Sequence, residues 1–203
     1  MIGRLRGTLE IKKPPYLLVD VNGVGYEVQA PMSTIYHLPE IGNPITLFIH
    51  FHVREDAQIL YGFAEKKERT LFRALIKVSG VGPKMGLAIL SGIDVLDFIK
   101  CVEQREPGPL VRLPGIGKKT AERLIVEMAG KLDTTLTDQF AQKSFTEAMD
   151  SRSPKAIEGE AISALIALGY KPQEATQAIS KVIYEGATSQ ELIRRALRLN
   201  TAV

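Results

Sequence analysis

Tryptophan is absent, cysteine occurs once and histidine three times in 203 residues. One thiol, Cys101, cannot close an internal disulfide or build a cysteine zinc site. It stands among Phe98, Ile99 and Val102 and is expected to be a small buried hydrophobe. Aromatic residues reach only 6%, too few to supply the stacking platform of a single-strand-binding protein. No apolar run approaches the eighteen or so residues of a membrane-spanning helix. The opening Met1-Ile-Gly-Arg-Leu-Arg-Gly lacks the apolar stretch of a secretory signal. A soluble, cytoplasmic protein is the expectation. With 45% hydrophobic and 24% charged residues, the chain can bury a core, and wholesale disorder is excluded.

Positive charge is unevenly spread. The net formal charge is −1 over residues 1–63, +5 over 64–132, −1 over 133–156 and 0 over 157–203. The middle segment could face a polyanion or simply present a solvated helical surface.

Residues 1–63 read as five strands. Tyr16–Val21 and Val24–Gln29 flank Asn22-Gly23, a dipeptide suited to the positive φ angles of a tight hairpin. Ile2–Ile11 precedes them; Ile45–Val53 and Gln58–Phe63 follow, after a short connector near Ser33–Leu38. Five strands in so short a stretch predict a small closed barrel of the OB type, which leaves few exposed edges. Past Phe63 the period becomes helical. Leu71, Phe72, Leu75 and Ile76 share one face, and short helices continue to about Lys131. Residues 133–156 lose that period and read as a flexible linker ending at Ser153-Pro154. From 157 to 203, three helices are expected. Ala161, Leu165 and Leu168 form one stripe, Gly169 stops the first helix, Pro172 opens the second, and Thr188-Ser-Gln-Glu191 caps the third.

The most informative feature is a repeat. Val78-Ser-Gly80-Val-Gly82-Pro-Lys84 returns thirty-five residues later as Leu113-Pro-Gly115-Ile-Gly117-Lys-Lys119. Two glycines around an apolar anchor let the backbone approach a ligand while the anchor pins the turn. Amide groups at the next helix start suit an oxygen anion, and the lysine adds a point charge for the same phosphate. The pattern resembles the tandem helix-hairpin-helix of proteins that grip the DNA backbone without reading bases. Gly115-Ile-Gly-Lys-Lys-Thr120 only imitates a nucleotide-binding loop, because Arg112 stands where the first glycine should be and Lys119 where Ser or Thr should follow.

Catalytic constellations do not emerge. His50 and His52 alternate on one strand face, but no carboxylate or cysteine cluster joins them, so ordinary strand residues are preferred over a metal pair. A repair nuclease or glycosylase would need a catalytic lysine or a carboxylate cluster, and neither is evident. Arg54-Glu55-Asp56-Ala57 sits between two strands and projects its charges from a hairpin tip. These are either solvated turn residues or, beside a phosphate-binding surface, a deliberate source of repulsion.

Together, Met1-Ile-Gly-Arg-Leu-Arg-Gly, Asn22-Gly-Val-Gly-Tyr-Glu-Val, His52-Val-Arg-Glu-Asp-Ala-Gln-Ile-Leu-Tyr-Gly-Phe, both glycine repeats and Leu168-Gly-Tyr-Lys-Pro-Gln-Glu-Ala resemble the bacterial RuvA family over the whole chain apart from the linker. That resemblance implies a multidomain α+β protein: an OB-fold barrel over 1–63, a tandem helix-hairpin-helix DNA-binding domain over 64–132, a linker over 133–156 and a mobile three-helix, UBA-like, motor-binding domain over 157–203. It implies sequence-independent binding of four-way (Holliday) junctions in recombination and repair, with no catalysis of its own. It further implies a homotetramer or a face-to-face octamer, a RuvB-type hexameric ATPase as partner, and a RuvC-type resolvase as a further one. No cofactor is expected, since ATP is used by the motor. Gly80, Gly82, Lys84, Gly115, Gly117, Lys118, Lys119, Arg123 and Arg54 become DNA contacts. Glu55 and Asp56 match an acidic pin at the junction centre. Leu165, Leu168 and Tyr170 fall where the motor is met, although Leu165 suits the core of a small bundle equally well.

Overall fold

A computed structural model describes residues 1–131, 154–184 and 186–200. Two compact units divide the chain, 1–140 and 141–203. The expected linker lies outside the described residues except for its last three positions, which are already helical.

The first unit opens with five strands: β1 (Arg4–Lys13), β2 (Tyr16–Val21), β3 (Val24–Gln29), β4 (Pro44–Val53) and β5 (Gln58–Phe63). They close into a barrel in the order β1-β2-β3-β5-β4, antiparallel except for β3 beside β5. Asn22 and Gly23 turn the β2–β3 hairpin with φ of 54° and 86°, the left-handed values that this dipeptide tolerates. Inward positions Leu5, Leu9, Leu17, Val19, Val28, Ile45, Leu47 and Ile49 fill the barrel. The connector after β3 contains a short helix, α1 (Met32–His37), which carries no side-chain cap.

Helices α2 (Lys66–Leu75), α3 (Pro83–Gly92), α4 (Val95–Glu103), α5 (Gly108–Val111) and α6 (Lys118–Lys131) follow. Leu71, Phe72 and Leu75 are fully buried, whereas Ile76 caps α2 and is only half-buried. The barrel and the helices share a wall. On β5, Leu60 belongs to the barrel core, while Tyr61 and Phe63 belong to the helical core. The Phe72 ring sits 5.0 Å from Phe63, 5.1 Å from Tyr61 and 5.5 Å from His50.

Polar groups fix the rest of this joint. The buried Glu68 carboxylate accepts from the Ser33 hydroxyl at 2.6 Å and from the Thr34 hydroxyl at 3.0 Å. Thr34 Oγ1 in turn accepts from the Ala64 amide at 3.0 Å. One Arg69 Nη donates to the Gly3 carbonyl at 2.7 Å, and Arg73 reaches the Ile49 carbonyl at 3.3 Å. These bonds clamp α2 onto both α1 and the barrel.

The second unit packs α7 (Pro154–Ala167), α8 (Pro172–Ser180) and α9 (Ser189–Asn200) around Ala161, Leu165, Ala175, Ile179, Val182, Leu192 and Ala196. Gly169, at φ 100°, ends α7, with its amide on the Ile166 carbonyl and the Tyr170 amide on the Leu165 carbonyl. Thr188 and Glu191 form a reciprocal cap on α9: the Thr188 hydroxyl accepts from the Glu191 amide, and the Glu191 carboxylate from the Thr188 amide. Leu168 does not join the expected stripe. The helix has already ended, and the side chain is 62% exposed.

Removing the Glu68 carboxylate leaves two hydroxyls without their charged acceptor. Glu68→Ala should lower the unfolding free energy by about 2 kcal/mol, measured by urea titration of the full chain. The Glu68→Ala, Thr34→Val pair should cost less than the sum of its parts. A second stability effect follows from His50, whose pKa is lowered to about 4, first by burial and then by electrostatic interaction with Arg73, His52 and Arg69. The unfolded chain, with an ordinary histidine near 6.5, therefore binds the extra proton between those values. The contribution from His50 is complete above about pH 6.5 and is lost as pH falls toward 4. Solvent at this half-buried site limits it to roughly 1 kcal/mol. His50→Gln should remove that part of the difference between urea midpoints at pH 7 and pH 4.5.

Candidate nucleic-acid interface

The two glycine repeats adopt one geometry. In the first, the Val81 amide donates to the Val78 carbonyl at 3.0 Å; in the second, Ile116 donates to Leu113 at 3.2 Å. Gly80 and Gly115 both hold φ of 81°, where an L side chain is strained. The intervening anchors Val81 and Ile116 are buried, at 5% and 4% exposure. The next helices also start alike. Gly86 donates to the Gly82 carbonyl and Ala121 to the Gly117 carbonyl, each at 3.0 Å.

Those starts define the donors. The amides of Lys84 and Met85 on α3, and of Lys118, Lys119 and Thr120 on α6, precede the first intrahelical bond and have no partner within their own helices. Gly82 supplies no side-chain cap to compete for them. Gly80, Gly82, Gly115, Gly117 and the side chains of Lys84, Lys118 and Lys119 are all exposed. Among the described residues, none of these lysines forms an ion pair. Met85 and Thr120 were not singled out by residue type; their amides follow only from where the helices begin.

Arg123 joins the two repeats. It projects from α6, beyond the second turn, yet its guanidinium lies over the first: a Cβ built on Gly80 would stand 2.9 Å from one Nη. Gly115 has open space at the same point. The turn between β4 and β5 is closed by the Arg54 amide on the Ala57 carbonyl at 2.8 Å. Arg54, Glu55 and Asp56 are exposed on it. Among the described residues, neither carboxylate is in an ion pair.

His50 and His52 lie 5.9 Å apart between ring centroids, with Tyr61 stacked nearby. Among the described residues, no three His, Cys, Asp or Glu side chains gather to hold a metal ion. Cys101 is buried, and desolvation raises its thiol pKa. In the second unit, Leu165 is fully buried. Its side chain has no surface to offer a partner, because it fills the centre of a three-helix core. Leu168 is exposed and Tyr170 packs partly against that core.

A five-stranded OB-type barrel carrying two superposable helix-hairpin-helix turns defines a class, the tandem helix-hairpin-helix proteins with an N-terminal barrel. Residues 1–62 match the family description "RuvA N terminal domain", residues 72–129 "SAM-like Helix-hairpin-helix tandem" and residues 156–199 "RuvA, C-terminal domain". The chain is 52% identical over 198 residues to the "Holliday junction branch migration complex subunit RuvA" of Stutzerimonas stutzeri (strain A1501), with 98% of each chain covered. Proteins of the same description from Pseudomonas entomophila (strain L48) and Pseudomonas fluorescens (strain Pf0-1) are 52% and 51% identical, again with 98% of each chain covered. The chain belongs to the RuvA family.

An alanine at either positive-φ glycine should destabilise the first unit, by about 1–2 kcal/mol for Gly115→Ala. Gly80→Ala should cost about the same, since the Arg123 guanidinium, at the free end of an exposed side chain, can swing aside. Urea unfolding of both variants checks this, and a much larger loss for Gly80→Ala would mean that Arg123 is held in place over the turn.

Proposed function

We propose that this protein binds four-way DNA junctions through their sugar–phosphate backbone, without regard to sequence, and holds them for branch migration. The observation that carries this reading is the pair of superposable glycine turns, each presenting helix-start amides and an exposed lysine. In this reading, Gly80, Gly82, Lys84, Gly115, Gly117, Lys118, Lys119 and Arg123 contact phosphates. Arg54 adds a contact near the crossover. The glycines give close approach, the amides give hydrogen bonds, and the side chains give charge.

Glu55 and Asp56 act in the opposite sense. Two carboxylates on a DNA-facing turn repel phosphates, which disfavours continuous duplex there and favours a substrate whose arms part. The segments serve as four parts: a barrel bearing the acidic turn, a backbone-gripping helical domain, a linker, and a three-helix domain that docks a RuvB-type hexameric ATPase. Leu168 and Tyr170 offer that motor an apolar contact, while Leu165 supports them from the core. The motor consumes the ATP; this chain contributes no reaction of its own. A homotetramer matches four subunits to four arms, and a second tetramer on the opposite face would enclose the junction. A RuvC-type resolvase would act on the face left open by a single tetramer.

Replacing Lys84 and Lys119 with Ala should weaken junction binding and flatten its salt dependence. The log–log slope should fall by about 0.9 for each phosphate that is no longer neutralised. Gel-shift titrations over a range of salt concentrations measure it, and an unchanged slope would remove the repeats from the binding site.

A further inference from the structure

Arg54 is the only cation within the acidic turn, and in sequence it adjoins Glu55 directly. An unrestrained arginine there would be expected to fold onto its neighbours and cancel part of their charge. It does not do so. Its Nε–H donates instead to Nε2 of His52 at 3.0 Å, which requires a neutral imidazole carrying its proton on Nδ1. His52 lies at the end of β4, paired with Ile59 on β5. Its ring is set edge-on to Tyr61 at 6.3 Å and stands 5.9 Å from His50. The bond therefore draws the guanidinium back over the sheet. The positive charge is felt at Tyr61, where it opposes the upward push of burial on the phenol. Glu55 and Asp56 are left without an ion-pair partner among the described residues.

We propose that His52 is a specificity-determining positioning residue: it latches Arg54 away from Glu55 and Asp56, so that the turn presents both carboxylates unneutralised to DNA. The proposal rests on the reading of that turn as a source of repulsion. It adds a residue that touches no phosphate itself. Removing the latch releases Arg54 to screen the carboxylates, and linear duplex gains more from that than a junction does. An exposed ion pair is a modest interaction, so the junction-to-duplex affinity ratio should fall by about two- to fivefold, not collapse.

The test compares six forms of the full chain by gel shift on a four-way junction and on linear duplex at low salt. His52→Phe keeps the ring but cannot accept a hydrogen bond, and it should lower the ratio. His52→Gln retains an acceptor on a chain of similar reach and should restore the ratio to that of the parent. Arg54→Gln changes the ratio by whatever its own phosphate contact is worth; adding His52→Phe to it should lower the ratio no further, since no cation remains to be released. The sixth form, Glu55→Gln with Asp56→Asn, reports on the turn independently and should lower the ratio at least as far as His52→Phe. In parallel, the Arg54 Nε–H proton signal should be protected from exchange in the parent and in His52→Gln, and lost in His52→Phe. An unchanged ratio in His52→Phe beside a lowered ratio in the carboxylate variant overturns the latch while the acidic turn stands. An unchanged ratio in both overturns the acidic-turn reading, and the role of His52 falls with it.

Discussion

One buried carboxylate holds the first unit in register. Glu68 sits on the first helix after the barrel and accepts from two consecutive hydroxyls, Ser33 and Thr34, on the small helix that links β3 to β4. A carboxyl group so deeply placed is costly unless its oxygens are met by donors, and the two hydroxyls meet them. Thr34 also ties the start of the helical region through the Ala64 amide. Helix α2, which leads directly into the first glycine turn, thereby takes its direction from the barrel. The acidic turn hangs from the same barrel at the β4–β5 connection. The first glycine turn and the acidic turn are thus mounted on one frame.

The repeated turns show how little sequence is needed to leave helix-start amides facing outward. Each uses a glycine at positive φ, a buried aliphatic anchor and a helix start without a side-chain cap. The lysines beside them, among the described residues, form no ion pair. Arg123 departs from strict repetition by reaching from the second motif across the first. The two turns are consequently coupled in a way that a simple duplication would not produce.

Much of this was legible in the residues. β2, β3 and β5 begin and end where alternation and the Asn22-Gly23 turn place them, because a tight hairpin leaves no freedom of register. The capping box at Thr188 and the stop at Gly169 were equally plain, since each depends only on neighbours in sequence. Helix α1 was not, being a single turn or so with no capping side chain, and it passed for a connector. Leu168 misled for a similar reason: the apolar spacing continued one residue beyond the glycine-terminated helix. What could not be read at all was lateral reach. The grip of Arg69 on Gly3, the position of Arg123 over Gly80 and the bond from Arg54 to His52 all depend on how the elements pack, and no local pattern encodes that.

The double role of β5 bears on how this protein could have been assembled from parts. Its inward residue Leu60 completes the barrel, while Tyr61 and Phe63, pointing the other way, complete the helical core. Two regions that look like interchangeable cassettes along the sequence therefore have a strand in common. Cutting between them would strip one aromatic wall from the helices and leave the barrel with an exposed apolar flank. Evolutionary shuffling of either piece would have to carry that strand twice or rebuild the surface left behind. Among the described residues, the core of the three-helix unit is made of its own side chains, so this unit carries no such debt.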